Sequence, residues 1–322
     1  MKRVLVTGAA GFIGSNLCDF LLDQGCEVAG LDSFVTGQRE FLSKALKNAK
    51  FQLHEVELAD FEHVKAVTAV FKPDTVIHLA ANADVRFGLQ HPRKDLEQGT
   101  VVTFNVLEAA RLAGATKFAF SSTGSVYGEP EIFPTPETCP FPVQTSLYAA
   151  AKLAAEGMIQ AYAEGYGMKG YILRFVSILG ERYTHGHVYD FANKILDNPK
   201  EIDVLGDGKQ TKAYLYIGDC LSAIWHILNK CEDKINIYNL GPDEHINVDQ
   251  SLDVICKVMD ATPKRNYSGG KRGWIGDSPF IFLDCKKLKS TGWKSQKTIR
   301  ESVELTIRWL LANDWVLKRR QT

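Results

Sequence analysis

Residues 4 to 14 read Val4-Leu5-Val6-Thr7-Gly8-Ala9-Ala10-Gly11-Phe12-Ile13-Gly14, a short apolar run that breaks on glycines and opens into a helical pattern. An apolar run of this length, bounded by a turn, reads as a strand buried on both faces. Glycines at 8, 11 and 14 allow a tight turn and a close backbone approach, so the following helix can aim its N-terminus at a pyrophosphate. The next strand pattern ends at Asp32, 18 residues beyond Gly14, near the spacing of about 20 expected for an acid that binds an adenosine ribose. A carboxylate there accepts hydrogen bonds from the ribose and repels a 2′-phosphate, which favours NAD over NADP.

Outward from this turn, short apolar runs alternate with amphipathic stretches. Strands are predicted at 3–7, 27–31, 51–55, 75–79, 117–121 and 170–175, and helices at 15–24, 62–71, 101–113 and 148–166. Gly25, Pro73-Asp74 and Gly114 fall where the connections need turns. The pattern predicts an α/β fold, a Rossmann doubly wound parallel sheet with helices on both faces. After residue 176 the alternation decays without a Ser/Gly-rich linker, so residues 177–322 read as a smaller lobe packed on the first domain, with some return to the sheet. Helical spacing at Ile299, Val303, Ile307 and Leu310-Leu311 predicts one terminal helix over 299–318, with the aromatic stretch from Trp309 to Trp315 in the core.

Composition narrows the function classes. Among 322 residues, 38 Lys+Arg balance 38 Asp+Glu, and no basic block stands out, which argues against nucleic acid or an anionic membrane surface as partner. No apolar run approaches a membrane span, and the start of the chain lacks a signal-peptide core. Seven scattered cysteines, without a C-x-x-C pair or zinc spacing, read as buried thiols in a reducing compartment. The expected location is the cytoplasm, and no metal is expected. His185 and His187 lack a third ligand nearby and read as loop histidines.

A second constellation lies at Phe120-Ser121-Ser122-Thr123-Gly124-Ser125-Val126-Tyr127-Gly128, followed by Tyr148-Ala149-Ala150-Ala151-Lys152. Four residues apart on a helix, Tyr148 and Lys152 share a face. An ammonium beside a phenol is expected to lower the phenol pKa toward neutrality and make it a usable acid/base. A strand-end hydroxyl can hold the reacting oxygen beside it.

Taken together with His78-Leu79-Ala80-Ala81, Leu173-Arg174-Phe175, Gly180, Leu205-Gly206-Asp207-Gly208-Lys209-Gln210, Asp219, Gly276-Asp277, Asp284 and Gly292-Trp293, these motifs resemble the extended short-chain dehydrogenase/reductases. Nearly the whole chain is similar to their nucleotide-sugar epimerase/dehydratase branch, which is UDP-glucose 4-epimerase-like. The resemblance implies NAD in a domain over 1–176 and a nucleoside-diphospho-sugar in the lobe over 177–322. It implies that Gly8, Gly11, Phe12, Ile13 and Gly14 form the pyrophosphate turn, with Asp32, Ser33, Phe34 and Gly37 at the adenosine ribose. Glu57 and Leu58 would line the adenine, and Leu79, Ala80, Ala81 and Phe175 would run along the cofactor. Tyr148 and Lys152 would grip the nicotinamide ribose and serve catalysis with Thr123, which lies 25 residues before Tyr148. Ser122 and Ser125 are fallback hydroxyls.

Departures from the family pattern carry their own information. Gly99 stands at the usual Asn, Ser177 at another Asn near the substrate diphosphate, and Lys212 at the usual Arg, a point charge in place of a fork. Arg86 and Arg272 are further candidate substrate ligands. Dehydratases of the branch resemble Thr-Asp-Glu at the Thr123 turn, and decarboxylases tend to place Glu where Ser125 stands. Gly124 and Ser125 cannot exchange a proton at neutral pH, so oxidation and reduction alone are expected: a 4-epimerase passing through a 4-keto sugar. A 4,6-dehydratase or C4 oxidoreductase, and a non-catalytic NAD-sensing Rossmann protein, are the alternatives. Ile281 falls where a tyrosine in similar epimerases excludes N-acetyl sugars, which implies a roomier pocket. The helices over 101–113 and 148–166 resemble a pair that forms dimer contacts, so a homodimer is expected.

Overall fold

The computed structural model describes residues 1–82, 88, 90–141, 143–270 and 280–318. Its main sheet is built from β1 (Arg3–Thr7), β2 (Glu27–Asp32), β3 (Phe51–Glu55), β4 (Thr75–His78), β5 (Lys117–Thr123) and β6 (Lys169–Phe175), joined by the strand Ile235–Leu240. The seven strands lie in the order Ile235–Leu240, β6, β5, β4, β1, β2, β3. Thr7 pairs with Leu31 on one side and His78 on the other, so the chain reverses its winding at β1 and β4. Ligands of open α/β sheets bind beyond the carboxyl ends of the strands at such a switch point.

Helix α1 (Phe12–Asp23) begins on Gly11 without a side-chain cap. Helix α2 (Phe61–Phe71) starts on Asp60, which accepts from the His63 N–H at 3.1 Å, and stops where Lys72 turns left-handed. Helix α3 (Val102–Leu112) continues a π-helical turn, Leu96–Val101. Helix α4 (Leu147–Tyr166) is capped by the Ser146 hydroxyl and terminated by Gly167 at φ 72°. Leu5, Val76, Phe118, Phe120 and Ile172 from the sheet close one core with Val106, Ala155 and Ile159 from the helices. Each of these side chains larger than alanine contributes about 1.5–3 kcal/mol relative to exposure.

The chain forms two compact units. The first holds Met1–Pro130, Glu137–Phe175 and Leu221–Asn239, and the second holds Glu131–Pro136, Val176–Cys220 and Leu240–Thr322. The seventh strand therefore comes from a segment that returns to the sheet late in the sequence. Within the second unit, Tyr214–Tyr216 pairs with Ser177–Leu179, and Glu201–Val204 pairs with Lys264–Tyr267. Helices Val248–Met259 and Ile299–Ala312 each start on a capping box, Asn247 with Gln250 and Thr298 with Glu301. The single terminal helix expected over 299–318 is instead two helices, Ile299–Ala312 and Asp314–Lys318. Asn313 ends the first at φ −128°, its amide donating to the Trp309 carbonyl at 2.9 Å. Trp309 and Trp315 are half-buried, and Val303, Ile307 and Leu310 form the inward face.

None of the seven cysteines is in a disulfide, and all are buried. Among the described residues, no helix is long and apolar enough to cross a membrane, and no three metal-binding side chains cluster.

Candidate active site

The turn after β1 is shaped by backbone that tolerates no side chain. Gly8 sits at φ +67°, and a Cβ there would lie 2.9 Å from the Ala80 nitrogen; a Cβ on Gly14 would overlap the Gly8 carbonyl oxygen. The Gly11 N–H donates to that same carbonyl at 3.1 Å. Asp32 closes the turn from β2. Its carboxylate accepts from the Ala10 N–H at 2.8 Å and the Phe34 N–H at 2.8 Å. Burial raises its pKa while those two N–H groups pull it down. Gly37 packs so tightly that a Cβ would come within 2.6 Å of Asp32 Oδ1. Phe34 adopts φ 58° and carries the Arg39 guanidinium 4.6 Å above its ring.

These features fit a dinucleotide. Bare backbone and an uncapped helix N-terminus suit a pyrophosphate, and a buried carboxylate suits ribose hydroxyls. Phe12 and Leu58 are buried, Ile13, Ser33, Ala81 and the pair Leu79-Ala80 are half-buried, and Glu57 is exposed.

A buckle of hydroxyls ties the ends of β1 and β4 together. Thr7 Oγ1 receives the Leu79 and Ala80 N–H groups at 3.2 and 3.3 Å and lies 2.6 Å from His78 Nδ1. Thr103 donates to the Gly99 carbonyl at 2.7 Å, so it accepts from His78 Nε2 at 3.1 Å. That assigns the proton to Nε2 and leaves Nδ1 to accept from Thr7. Burial, with the Lys152 charge, pushes the His78 pKa down to about 3, and the ring is neutral.

Gly99, the residue standing in place of an Asn, owes its identity to packing: a Cβ there would come within 2.7 Å of the Ala151 Cβ on α4. The π-helical turn thus lies directly against the helix that carries Tyr148 and Lys152.

The structure brings Thr123, Tyr148 and Lys152 together. Thr123 ends β5 and pairs with Phe175 at the end of β6. Its hydroxyl pulls the Tyr148 pKa down; it donates to Ser125 Oγ at 3.2 Å, and the Ser125 N–H donates to its oxygen at 3.1 Å. Lys152 Nζ lies 5.9 Å from the Tyr148 ring centroid and 4.5 Å from that of Phe120. It donates to the Ser121 carbonyl at 2.7 Å.

The expectation that Lys152 would draw the phenol pKa toward neutrality is corrected here. Burial pushes Tyr148 up to about 12, against the pull of Thr123, and Asp95 adds to the rise. Burial likewise pulls Lys152 down to about 7, with Glu156 opposing. Lys152, whose ammonium is given to the Ser121 carbonyl, is not among the groups that shift Tyr148, so no attraction from it offsets the desolvation.

In the second unit, Lys212 is flanked by Ile246 on one strand and Ile281 on another, so two of the expected substrate ligands are neighbours. Ser177 is exposed at the start of its strand. His187 is within 2.7 Å of the Ser251 hydroxyl and stacks on Tyr214 at 4.6 Å; burial pushes its pKa down to about 3. Arg86 and Arg272, like Gly276 and Asp277, lie outside the described residues.

Sequence reasoning missed Glu156 and Arg174 as members of this neighbourhood. One signal was available: Glu156 follows Lys152 by four residues and so shares its helix face.

A family model described as the NAD dependent epimerase/dehydratase family matches residues 4–241. The chain is 37% identical over 311 residues to a UDP-glucose 4-epimerase of Mycolicibacterium smegmatis, covering 95% of this chain and 97% of that protein. It is 31% identical over 310 residues to UDP-glucuronic acid decarboxylase 1 of Arabidopsis thaliana, covering 94% and 68%. A solved UDP-glucose 4-epimerase of Thermus thermophilus, in complex with NAD, superposes with a TM-score of 0.86 at 34% identity and covers 96% of this chain and 99% of that one. A Rossmann sheet with its glycine turn and buried acid, together with these matches over most of the length, identifies the chain as a member of the NAD-dependent epimerase/dehydratase family of extended short-chain dehydrogenase/reductases.

Proposed function

We propose that this protein is an NAD-dependent nucleoside-diphospho-sugar 4-epimerase acting on UDP-glucose and UDP-galactose or a close relative, through a transient 4-keto sugar. The observation that carries the reading is the turn Gly124–Tyr127, which supplies no carboxylate beside Thr123. Water loss across C5 and C6 needs a second acid/base, and Ser125 is engaged with Thr123. A Thr-Tyr-Lys set alone suits proton transfer at a single hydroxyl.

When bound, NAD supplies the acceptor and donor of hydride and the positive charge of its oxidised ring. Gly8, Gly11, Phe12, Ile13 and Gly14 would hold its pyrophosphate, and Asp32 its adenosine ribose. Thr123 and Tyr148 hold the C4 oxygen of the sugar between them. As phenolate, Tyr148 takes the C4 hydroxyl proton while the carbon is oxidised, and as phenol it returns that proton when the 4-keto group is reduced from the opposite face. Burial holds the phenol protonated, with a pKa of about 12; Thr123 pulls it down, and the positive charge of the oxidised ring would further favour the phenolate that the first step needs. Ser177 and Lys212 serve the diphosphate, and Ile281 leaves room at C2 of the sugar.

Product analysis with catalytic NAD tests the reading. UDP-glucose should convert to UDP-galactose far beyond the cofactor present, with no lasting NADH absorbance. Stoichiometric NADH with a 4-keto product indicates an oxidoreductase, a stable 4-keto-6-deoxy product a dehydratase, and no turnover on any UDP-sugar a sensor. In the same assay, Ile281→Tyr should depress turnover of UDP-N-acetylglucosamine by roughly 10–200-fold while sparing UDP-glucose, the range expected for a methyl-sized contact. Equal losses on both sugars remove Ile281 from the pocket.

A homodimer is part of the proposal. Phe104 and Leu112 on α3, with Leu147 and Tyr166 on α4, leave large apolar side chains exposed, the kind of surface that a second copy covers. Light scattering after gel filtration should return twice the chain mass; a monomer at micromolar concentration refutes the dimer.

A further inference from the structure

Tyr148, Lys152 and Glu156 recur every four residues on α4 and so share one face. Three consecutive residues of β5 meet them. Thr123 acts on Tyr148, the Ser121 carbonyl receives Lys152, and the Ser122 hydroxyl donates to Glu156. Glu156 is fully buried, and its carboxylate is held in a fork by Arg174 on β6, Nε at 3.0 Å and Nη2 at 2.7 Å. Arg174 is 2% exposed. Its Nη1 donates to the Tyr127 hydroxyl at 2.8 Å and the Glu137 carbonyl at 3.2 Å, and its guanidinium lies 4.9 Å from the ring centres of Tyr127 and Phe141. Tyr127 donates onward to Asn239 at 2.8 Å.

Stability alone gives no account of this pair, since apolar residues of the same volume serve as well as or better than a buried ion pair. Its neighbour offers one. Lys152 brings a further positive charge into the same buried layer. The groups that face it are Glu156 and the Tyr148 ring on its own helix, the Ser121 carbonyl and Phe120 ring on β5, and neutral His78 on β4. Asp95, in the turn before the π-helical segment, acts on Tyr148. Among the described residues, Glu156 is the carboxylate that acts on Lys152, and Arg174 already claims it.

We propose that the Glu156–Arg174 pair is a positioning device that holds Lys152 on the Ser121 carbonyl and sets how firmly its ammonium keeps its proton. Glu156 holds the charge on, and Arg174 limits that hold. The significance for catalysis rests on reading Tyr148 and Lys152 as the acid/base pair, but the test reads Lys152 itself and needs no substrate. Burial draws the Lys152 proton off near pH 7. Loss of the Glu156 charge leaves Arg174 unopposed and should move that titration lower. Loss of the Arg174 charge leaves Glu156 to Lys152 alone and should move it higher. A pair with no electrostatic reach to Lys152 would leave its titration where it is.

The experiment uses full-length protein labelled with ¹³C-lysine, with the Lys152 signal assigned by its absence in Lys152→Met and titrated by NMR. Glu156→Gln should shift the Lys152 midpoint down by about one unit or more, and Arg174→Met should shift it up by about as much. Circular dichroism establishes that each variant is folded. If either fails to fold, Ser122→Ala keeps both charges and removes one donor from the carboxylate, which should raise the Lys152 midpoint by a smaller, measurable step. Shifts of the same sign, or an unmoved Lys152, overturn the proposal. Turnover of UDP-glucose is assayed separately, so a protein that epimerises nothing yet shows opposed shifts retains the pair's role in setting Lys152 and loses only the epimerase reading.

Discussion

Tyr148→Phe should lower turnover by at least the roughly 10²–10⁴-fold attributed to a positioned acid/base, with NAD still bound. The substitution deletes one oxygen and leaves the ring where it packs on α4, so the helix, its Ser146 cap and the Lys152 contact with Ser121 are untouched. What is lost is the hydroxyl on which Thr123 acts. Thr123 cannot take over, because a serine or threonine hydroxyl is a far weaker acid than a phenol and has no adjacent base here. Initial rates with UDP-glucose, beside NAD content measured after denaturation, check the result. Near wild-type turnover would remove Tyr148 from the chemistry, and loss of NAD alongside activity would make it a cofactor ligand first.

Gly14→Ala should weaken NAD binding by an order of magnitude or more and lower the melting temperature. The added methyl would overlap the Gly8 carbonyl oxygen, and a backbone atom cannot rotate away as a side chain can. Relief requires moving either α1 or the turn, and overpacking of this kind costs about 1–3 kcal/mol. That movement displaces the pyrophosphate cradle, so affinity should fall by an order of magnitude or more. Gly157→Ala on α4 is the matched control, since nothing lies within 4 Å of its would-be Cβ. There the same change should leave NAD binding intact and stabilise slightly through helix propensity. Calorimetric NAD titration and thermal melts of the two variants decide the matter; equal behaviour would mean that the close approach of Gly14 does not shape the site.

Much of the first unit was legible because its signals are local. The apolar run before Gly8, the three glycines and Asp32 at the end of β2 have spacings set by strand and helix geometry, and the structure places them in one turn. The same holds for Tyr148 and Lys152, whose separation of four residues puts them on one helix face wherever the helix lies. The strand Ile235–Leu240 was less legible. Its place beside β6 depends on sheet order, and a late segment returning to the sheet leaves no mark in local periodicity.

By itself, then, the sequence determined the α/β alternation, the dinucleotide turn and which side chains ride together on α4. Tertiary structure decided the rest. Gly99 is explained by the distance to Ala151 across two helices, a contact that no spacing along one element encodes. Likewise Lys152 reaches a carbonyl of β5, and Glu156 finds Arg174 on β6, because the βα crossover stacks α4 on those two strands. The direction of the Tyr148 shift had the same origin. A lysine four residues away is visible in the chain, but the burial that raises Tyr148 and the Ser121 carbonyl that takes the ammonium exist only once the helix is packed on the sheet.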